Sequence, residues 1–188
     1  MRERLLDAAD SLLFIEGAFA TPVDTILKRA AASPPSLYAH FGNKEGLIAA
    51  ALRRRLNIWT QVWDGAIAAA DDEERLLALW PALATYQAER LPERWCAFSG
   101  TSAAIVNPGP DLRAVLEEET ALLRDRLLAY SEPVAGAAAP HLASALMTIY
   151  AGTLALMLRE PYEDALEEGR RAAEMLVRSY RVARERAV

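Results

Sequence analysis

Apolar residues recur three and four positions apart from one end of the chain to the other, and no stretch sustains the alternation of a strand. An all-α fold of about nine helices is predicted. The first helix spans about 2–16, with Leu5, Leu6, Ala9, Leu12 and Leu13 on one face, a stop at Gly17 and a core plug at Phe19. Thr21 reads as the N-cap of a second helix reaching Ala30, with Pro22 at its first position and Val23, Ile26, Leu27 and Ala30 inward. Ser33 followed by Pro34 and Pro35 repeats this logic for a third, about 34–40, where the Ser33 hydroxyl should take the N–H of Ser36. Phe41, Gly42 and Asn43 turn the chain, and Asn43 caps a fourth helix reaching about Ala70.

Further helices are predicted at about 73–90, bent near Pro81, then 93–106, 111–131, 140–159 and 163–185. The clearest breaks are NPGP at 107–110 and SEPVAGAAAP at 131–140. Leu142 to Leu158 runs 17 residues without a charge, near the lower limit for a membrane span. A helix buried on most sides by other helices explains the same run, and no membrane is expected.

With 53% hydrophobic residues in 188, the chain should fold compactly. A lone cysteine, Cys96, permits no internal disulfide, and MRERLLDAAD lacks a signal peptide's apolar stretch, so the cytoplasm is expected. The net charge of −5 is unevenly spread: residues 1–55 carry eight Lys/Arg against six Asp/Glu, the remainder 13 against 20. Positive charge therefore gathers at the N-terminal end. Within it, Arg53, Arg54 and Arg55 read as a solvated face or as partners of nearby acids rather than as a phosphate clamp.

The stretch SLYAHFGNKEGL, residues 36–47, carries the chemistry. Two short helices joined by a tight turn form the arrangement that projects one helix into the DNA major groove. Leu37 and Phe41, four apart, would pin the third helix to a small core, leaving Ser36 and His40 to meet base edges. Tyr38 would lay its ring over the core and reach a phosphate with its hydroxyl. Lys44 adds charge at the N–H-rich start of the next helix, and Ser33 at the helix cap joins this DNA-facing set.

EGAF after the first helix, TPVDTIL opening the second and SLYAHFGNKEGL together make residues 5–52 resemble the DNA-binding domain of the tetracycline-repressor (TetR) family of bacterial transcription regulators. The resemblance implies a helix-turn-helix DNA-binding domain, 1–48, followed by a helical ligand-binding and dimerisation domain, 49–188. It matches the region of Thr21, with Tyr38 and Lys44, to phosphate contacts, and Ser36 and His40 to the groove. Two departures stand out. Ala31 lies where the family usually turns with glycine, and Pro34-Pro35 removes two N–H donors from the start of the recognition helix.

The resemblance also implies a small-molecule site among the later helices. Trp59 and Trp63 share a face of the fourth helix, and Trp80, Tyr86, Trp95, Phe98, Met147 and Tyr150 are the other candidate lining residues. Few polar residues accompany them, which favours a mostly apolar effector. Two stripes look fit to pair across a homodimer: Leu142, Leu146, Ile149 and Thr153, and Gly169, Ala172, Ala173, Leu176 and Tyr180. A two-fold dimer calls for a near-palindromic operator with half-sites about 34 Å apart or somewhat more.

An enzyme is not expected. His40 and His141 are the two histidines, Cys96 has no base nearby in sequence, and neither a P-loop nor a glycine-rich dinucleotide turn is present. No cofactor or metal is expected. The predicted mechanism is a dimer, most commonly a repressor in that family, that occludes a promoter until a small molecule changes the spacing of its two recognition helices. The alternative is a helical ligand-binding dimer that has lost operator binding.

Overall fold

The computed structural model describes residues 1–16, 21–72, 74–90 and 95–185; the stop expected at Gly17 and the plug expected at Phe19 lie outside them. Among the described residues there is no strand. The helices are α1 (Arg2–Ala9), α2 (Val23–Arg29), α3 (Pro34–Phe41), α4 (Lys44–Ala69), α5 (Leu79–Thr85), α6 (Ala97–Ala104), α7 (Pro110–Ala135), α8 (Ala139–Leu156) and α9 (Tyr162–Glu185). π-Helical segments, Asp10–Ile15 and Tyr86–Arg90, continue α1 and α5, and short 3-10 turns, Arg75–Leu77 and Gly136–Ala138, precede α5 and α8. The chain divides into two compact units: Met1–Ile58 with Leu91–Glu119, and Trp59–Arg90 with Thr120–Val188.

In the first unit, Leu5, Leu6, Ala9, Leu12 and Leu13 are buried on the predicted face of α1 and its π-helical continuation, together with Ile26, Leu37, Leu47 and Leu52. All three arginines of the 53–55 run are paired with acids. Arg53 bonds Glu118, Arg54 reaches Asp7 at 2.6 Å, and Arg55 holds Asp10 through two bonds of 2.7 and 2.8 Å.

The α2 boundaries differ by a residue from the expectation. Pro22, extended at φ −62° and ψ 149°, takes the capping position in place of Thr21, which is buried. The Pro22 carbonyl accepts from the N–H groups of Thr25 (3.1 Å) and Ile26 (3.4 Å). At the other end, the Ala32 N–H donates to the Leu27 carbonyl (2.9 Å) and the Ala31 N–H to that of Lys28 (3.2 Å). This is a Schellman stop, and Ala31 occupies its left-handed position at φ +46°.

A side chain there costs about 1–2 kcal/mol, while glycine gives back about 0.5–1 kcal/mol through unfolded-state entropy. Ala31→Gly should therefore stabilise the chain by roughly 0.5–1 kcal/mol. A urea titration checks it: the midpoint rises at unchanged slope, and a fall would mean that the alanine is unstrained.

The second unit is built on α5, α8 and α9, with Leu79, Trp80, Leu83, Leu142, Leu146, Ala165, Ala173 and Val177 buried in it. Gly169 allows close approach: a Cβ there would overlap Thr153 Oγ1 and come within 2.9 Å of Trp80 Nε1. Two proline expectations need correction. Pro81 lies in the first turn of α5, where no helical bond needs its N–H, so it starts the helix rather than bending one. Pro133 lies inside α7, which runs on to Ala135, and the chain turns only at Gly136, φ +53°.

The stretch Pro110–Leu156 holds an 18-residue window apolar enough to cross a membrane, mean hydropathy 1.3, but only 28% of that window is buried within the chain. The expected burial on most sides is therefore not supplied by this chain alone. One face of α8 is covered, and the opposite face, with Ser144, Thr148, Ala151, Gly152 and Ala155, is exposed.

Candidate functional site: an outward helix face and a buried aromatic cluster

Leu37 pins α3. It is fully buried, while Phe41 is half-buried, its ring 5.5 Å from the Arg2 guanidinium and edge-on to His40 at 6.1 Å. The face left over carries the predicted residues: His40 is exposed, and Ser36 and Lys44 are partly so. Tyr38 departs from the expectation. Its side chain is 58% exposed, so the ring projects outward instead of covering the core.

The cap of α3 also differs. Ser33 is extended at φ −95° and ψ 155°, but its hydroxyl meets the Ser36 hydroxyl (3.1 Å). The Ser36 N–H donates instead to the Ser33 carbonyl (3.0 Å), which already satisfies the donor that the side chain was expected to take. Pro34 and Pro35 occupy the first helical positions as expected.

The turn after α3 explains both glycines of FGNKEG. Gly42 sits at φ +74° and ψ −46°, and the Asn43 N–H donates back to the Phe41 carbonyl at 2.8 Å, a tight γ-turn in a region unfavourable to residues with a Cβ. Asn43 then caps α4 as predicted, its Oδ1 accepting from the Gly46 N–H at 2.8 Å. A Cβ on Gly46 would overlap the Phe41 carbonyl oxygen. The recognition helix thus ends in backbone contact with the first turn of α4.

In the second unit, four predicted aromatics come together. Trp59 lies 5.6 Å from Trp63, 5.6 Å edge-on to Tyr86 and 6.3 Å stacked on Tyr150, and all four are buried. Trp80 is buried in the same unit, whereas Trp95 and Phe98 belong to the first. Met147 instead lines an α7–α8 groove of about 320 Å³ with Arg124, Leu128, Pro140, Ala143 and Ser144. One neighbour of the aromatics was not anticipated: the Arg126 guanidinium lies 5.0 Å from the Trp63 ring centre and bonds Asp64 at 2.7 Å. Among the described residues, no group of three or more His, Cys, Asp or Glu could hold a metal ion.

Comparison with known proteins decides what kind of domain this is. Residues 5–51 match the family model described as bacterial regulatory proteins, tetR family. A TetR-family transcriptional regulator from Streptomyces coelicolor superposes with a TM-score of 0.85 at 22% identity, over 96% of this chain and 95% of that one. Residues 5–51 thus resemble the DNA-binding domain of the TetR family, and the chain has the TetR fold. A transcriptional regulator from Rhodococcus sp. Rha1 (TM-score 0.77, 21% identity, 96% and 95% covered) and a TetR regulator from Legionella pneumophila (0.75, 19%, 93% and 96%) share that fold. No curated protein sequence matches the chain.

Within this TetR fold the two pairing stripes are turned mostly inward. Leu142, Leu146, Thr153, Gly169 and Ala173 are buried in the chain itself, because α8 and α9 pack on each other and α9 also packs on α5. Ile149, Leu176 and Tyr180 are partly exposed and Ala172 is exposed. Beside these lie Met175, 68% exposed, and Val182, 40% exposed. Both sides of α8 are apolar, so its pattern alone does not say which one a neighbouring helix of the same chain will claim.

Proposed function

We propose that this chain is a ligand-responsive transcriptional regulator, a repressor, that binds a near-palindromic operator as a homodimer and is released by a small, mostly apolar molecule. It acts in the cytoplasm, with neither membrane partner nor catalytic role. Residues 1–48 serve as the DNA-binding domain and 49–188 as the ligand-binding and dimerisation domain. The observation that carries this reading is the outward face of α3: Leu37 is fully buried while Tyr38 and His40 stand exposed beside Lys44 at the N-terminus of α4. A helix held on one side and polar on the other suits the major groove, with Ser36 and His40 toward bases, and Ser33, Tyr38 and Lys44 near phosphates.

The dimer forms through the exposed faces of α8 and α9, around Ile149, Ala172, Met175, Leu176 and Tyr180. This accounts for an apolar face of α8 that one chain leaves uncovered. The aromatic cluster around Trp59 and Trp63 lies on the half of α4 in the second unit, while Lys44 begins the same helix in the first. A ligand seated against those rings acts on the helix that begins with Lys44, directly after the recognition helix.

Fluorescence anisotropy against DNA from upstream of the chain's own gene and its neighbours tests the reading. Saturable, salt-sensitive binding to one site is expected, weakened about tenfold by Tyr38→Ala and by Lys44→Ala, with the latter lowering the salt slope by about one. Binding no tighter than to random DNA at every salt concentration would favour the second reading, a helical ligand-binding dimer without an operator. That reading draws on Pro34 and Pro35, which leave the start of α3 two N–H donors short.

A further inference from the structure

We infer that the effector carries a carboxylate, received by Arg126 and the indole N–H of Trp63, with its apolar body against Trp59, Tyr86 and Tyr150. This rests on the proposed ligand-responsive reading and narrows the ligand to aromatic or similarly flat organic acids.

Two buried donors carry it. Trp63 is 1% exposed and its Nε1 has no hydrogen-bond partner. Arg126 Nη1 is likewise buried and unpartnered, although Nη2 of the same group bonds Asp64 at 2.7 Å. Buried polar atoms without partners are rare in folded proteins and need an account. Both atoms are donors that accept nothing, so what completes them is an acceptor.

Their arrangement selects among acceptors. The guanidinium lies over the Trp63 ring, 5.0 Å from its centre, so the two donors belong to groups in contact. A carboxylate offers two oxygens to such a pair, and charge-assisted bonds from guanidinium to carboxylate are stronger and shorter than bonds to a neutral oxygen. The Arg126 side chain is only 20% exposed, which weakens the screening of its charge. Its present counter-ion does not fill the role: Asp64 is 57% exposed and bonds Nη2, leaving Nη1 open.

The rest of the site suits the rest of such a molecule. Trp63, Trp59, Tyr86 and Tyr150 form a continuous run of ring contacts at 5.6 to 6.3 Å, and flat apolar ligands insert among such rings by stacking or edge contacts. Arg124, two residues from Arg126, is exposed and lines the α7–α8 groove, so it serves as a control for any cation that merely attracts anions.

The test uses the full chain and calorimetric titration with benzoate, 2-naphthoate and indole-3-acetate, each beside its neutral amide. At least one acid should bind about tenfold or more tightly than its amide. That preference should vanish in Arg126→Gln, with circular dichroism confirming an intact fold, and persist in Arg124→Gln. Trp63→Phe, which keeps a ring but removes the donor, should weaken the acid several-fold.

Amides binding as well as acids, an acid preference that survives Arg126→Gln or is lost in Arg124→Gln, or no acid binding at all would each overturn the inference. Operator release is measured separately. An acid that binds at Arg126 without releasing DNA would establish the carboxylate site but overturn its assignment to the effector. Release by a neutral compound, with no acid bound, would overturn the inference and leave the release mechanism standing.

Discussion

Arg55→Ala should destabilise the chain by about 3–5 kcal/mol, the largest loss expected from a single side-chain truncation here. Arg55 is fully buried and its side chain holds Asp10 by a two-pronged contact, Nε to Oδ1 at 2.7 Å and Nη2 to Oδ2 at 2.8 Å. Its guanidinium also lies 4.9 Å from the centre of the Phe14 ring. Truncation leaves Asp10, itself 3% exposed, as a carboxylate held in the core beside a cavity. The Arg54 guanidinium, 4.0 Å away and already engaged with Asp7, is a poor substitute.

The size of the loss comes from the orphaned charge and not from the worth of the pair. Taking both groups out of water costs nearly what their attraction returns, so Asp10→Leu combined with Arg55→Met should fall within about 1–2 kcal/mol of the parent or exceed it. Urea denaturation of the two single variants and the double variant measures this as a cycle. Two large single losses that added in the double variant would show that packing, and not an uncompensated charge, is what the singles lose. Arg55→Lys is expected to fail as well, since an ammonium cannot reproduce the two parallel bonds.

The ion pair also shows what could be read along the chain and what could not. The helices were legible because apolar residues recur at 3.6-residue spacing, though on both sides of α8, and the α3–α4 turn because Gly, Asn and Lys each serve a local need there. That Arg53, Arg54 and Arg55 serve acids was a fair reading of their neighbourhood; that Arg55 is buried was not, since it depends on a partner 45 residues away. Arg126 was missed for the same reason: ALLRDRLL is an ordinary amphipathic run until Trp63 and Asp64 come beside it. Pro133 misled because a proline reads as a break, whereas here the helix carries it for two more residues. Gly46 went unremarked because nothing local requires a glycine in the first turn of a helix.

Gly46→Ala gives the second large effect, and its sign runs against ordinary helix propensity. Elsewhere in a helix this change is worth up to about 1 kcal/mol in favour of alanine. Gly65, also within α4, is such a place, with no atom within 4 Å of a Cβ built on it, and Gly65→Ala should stabilise by roughly that amount. At position 46 the new methyl would overlap the Phe41 carbonyl oxygen and lie 3.2 Å from its carbon. That oxygen cannot swing aside as a side chain would, because it is backbone and already accepts from the Asn43 N–H at 2.8 Å across the Gly42 turn. Relief requires the C-terminal end of α3 to move away from the start of α4. We expect a loss of about 3 kcal/mol, the upper part of the range for overpacking. We also expect operator affinity, measured on protein still folded by circular dichroism, to fall tenfold or more, because His40 and Tyr38 move with α3 while Lys44 stays on α4. Unchanged affinity in a destabilised but folded variant would mean that the turn absorbs the methyl without moving the recognition helix; unchanged stability would show that the close contact is not there.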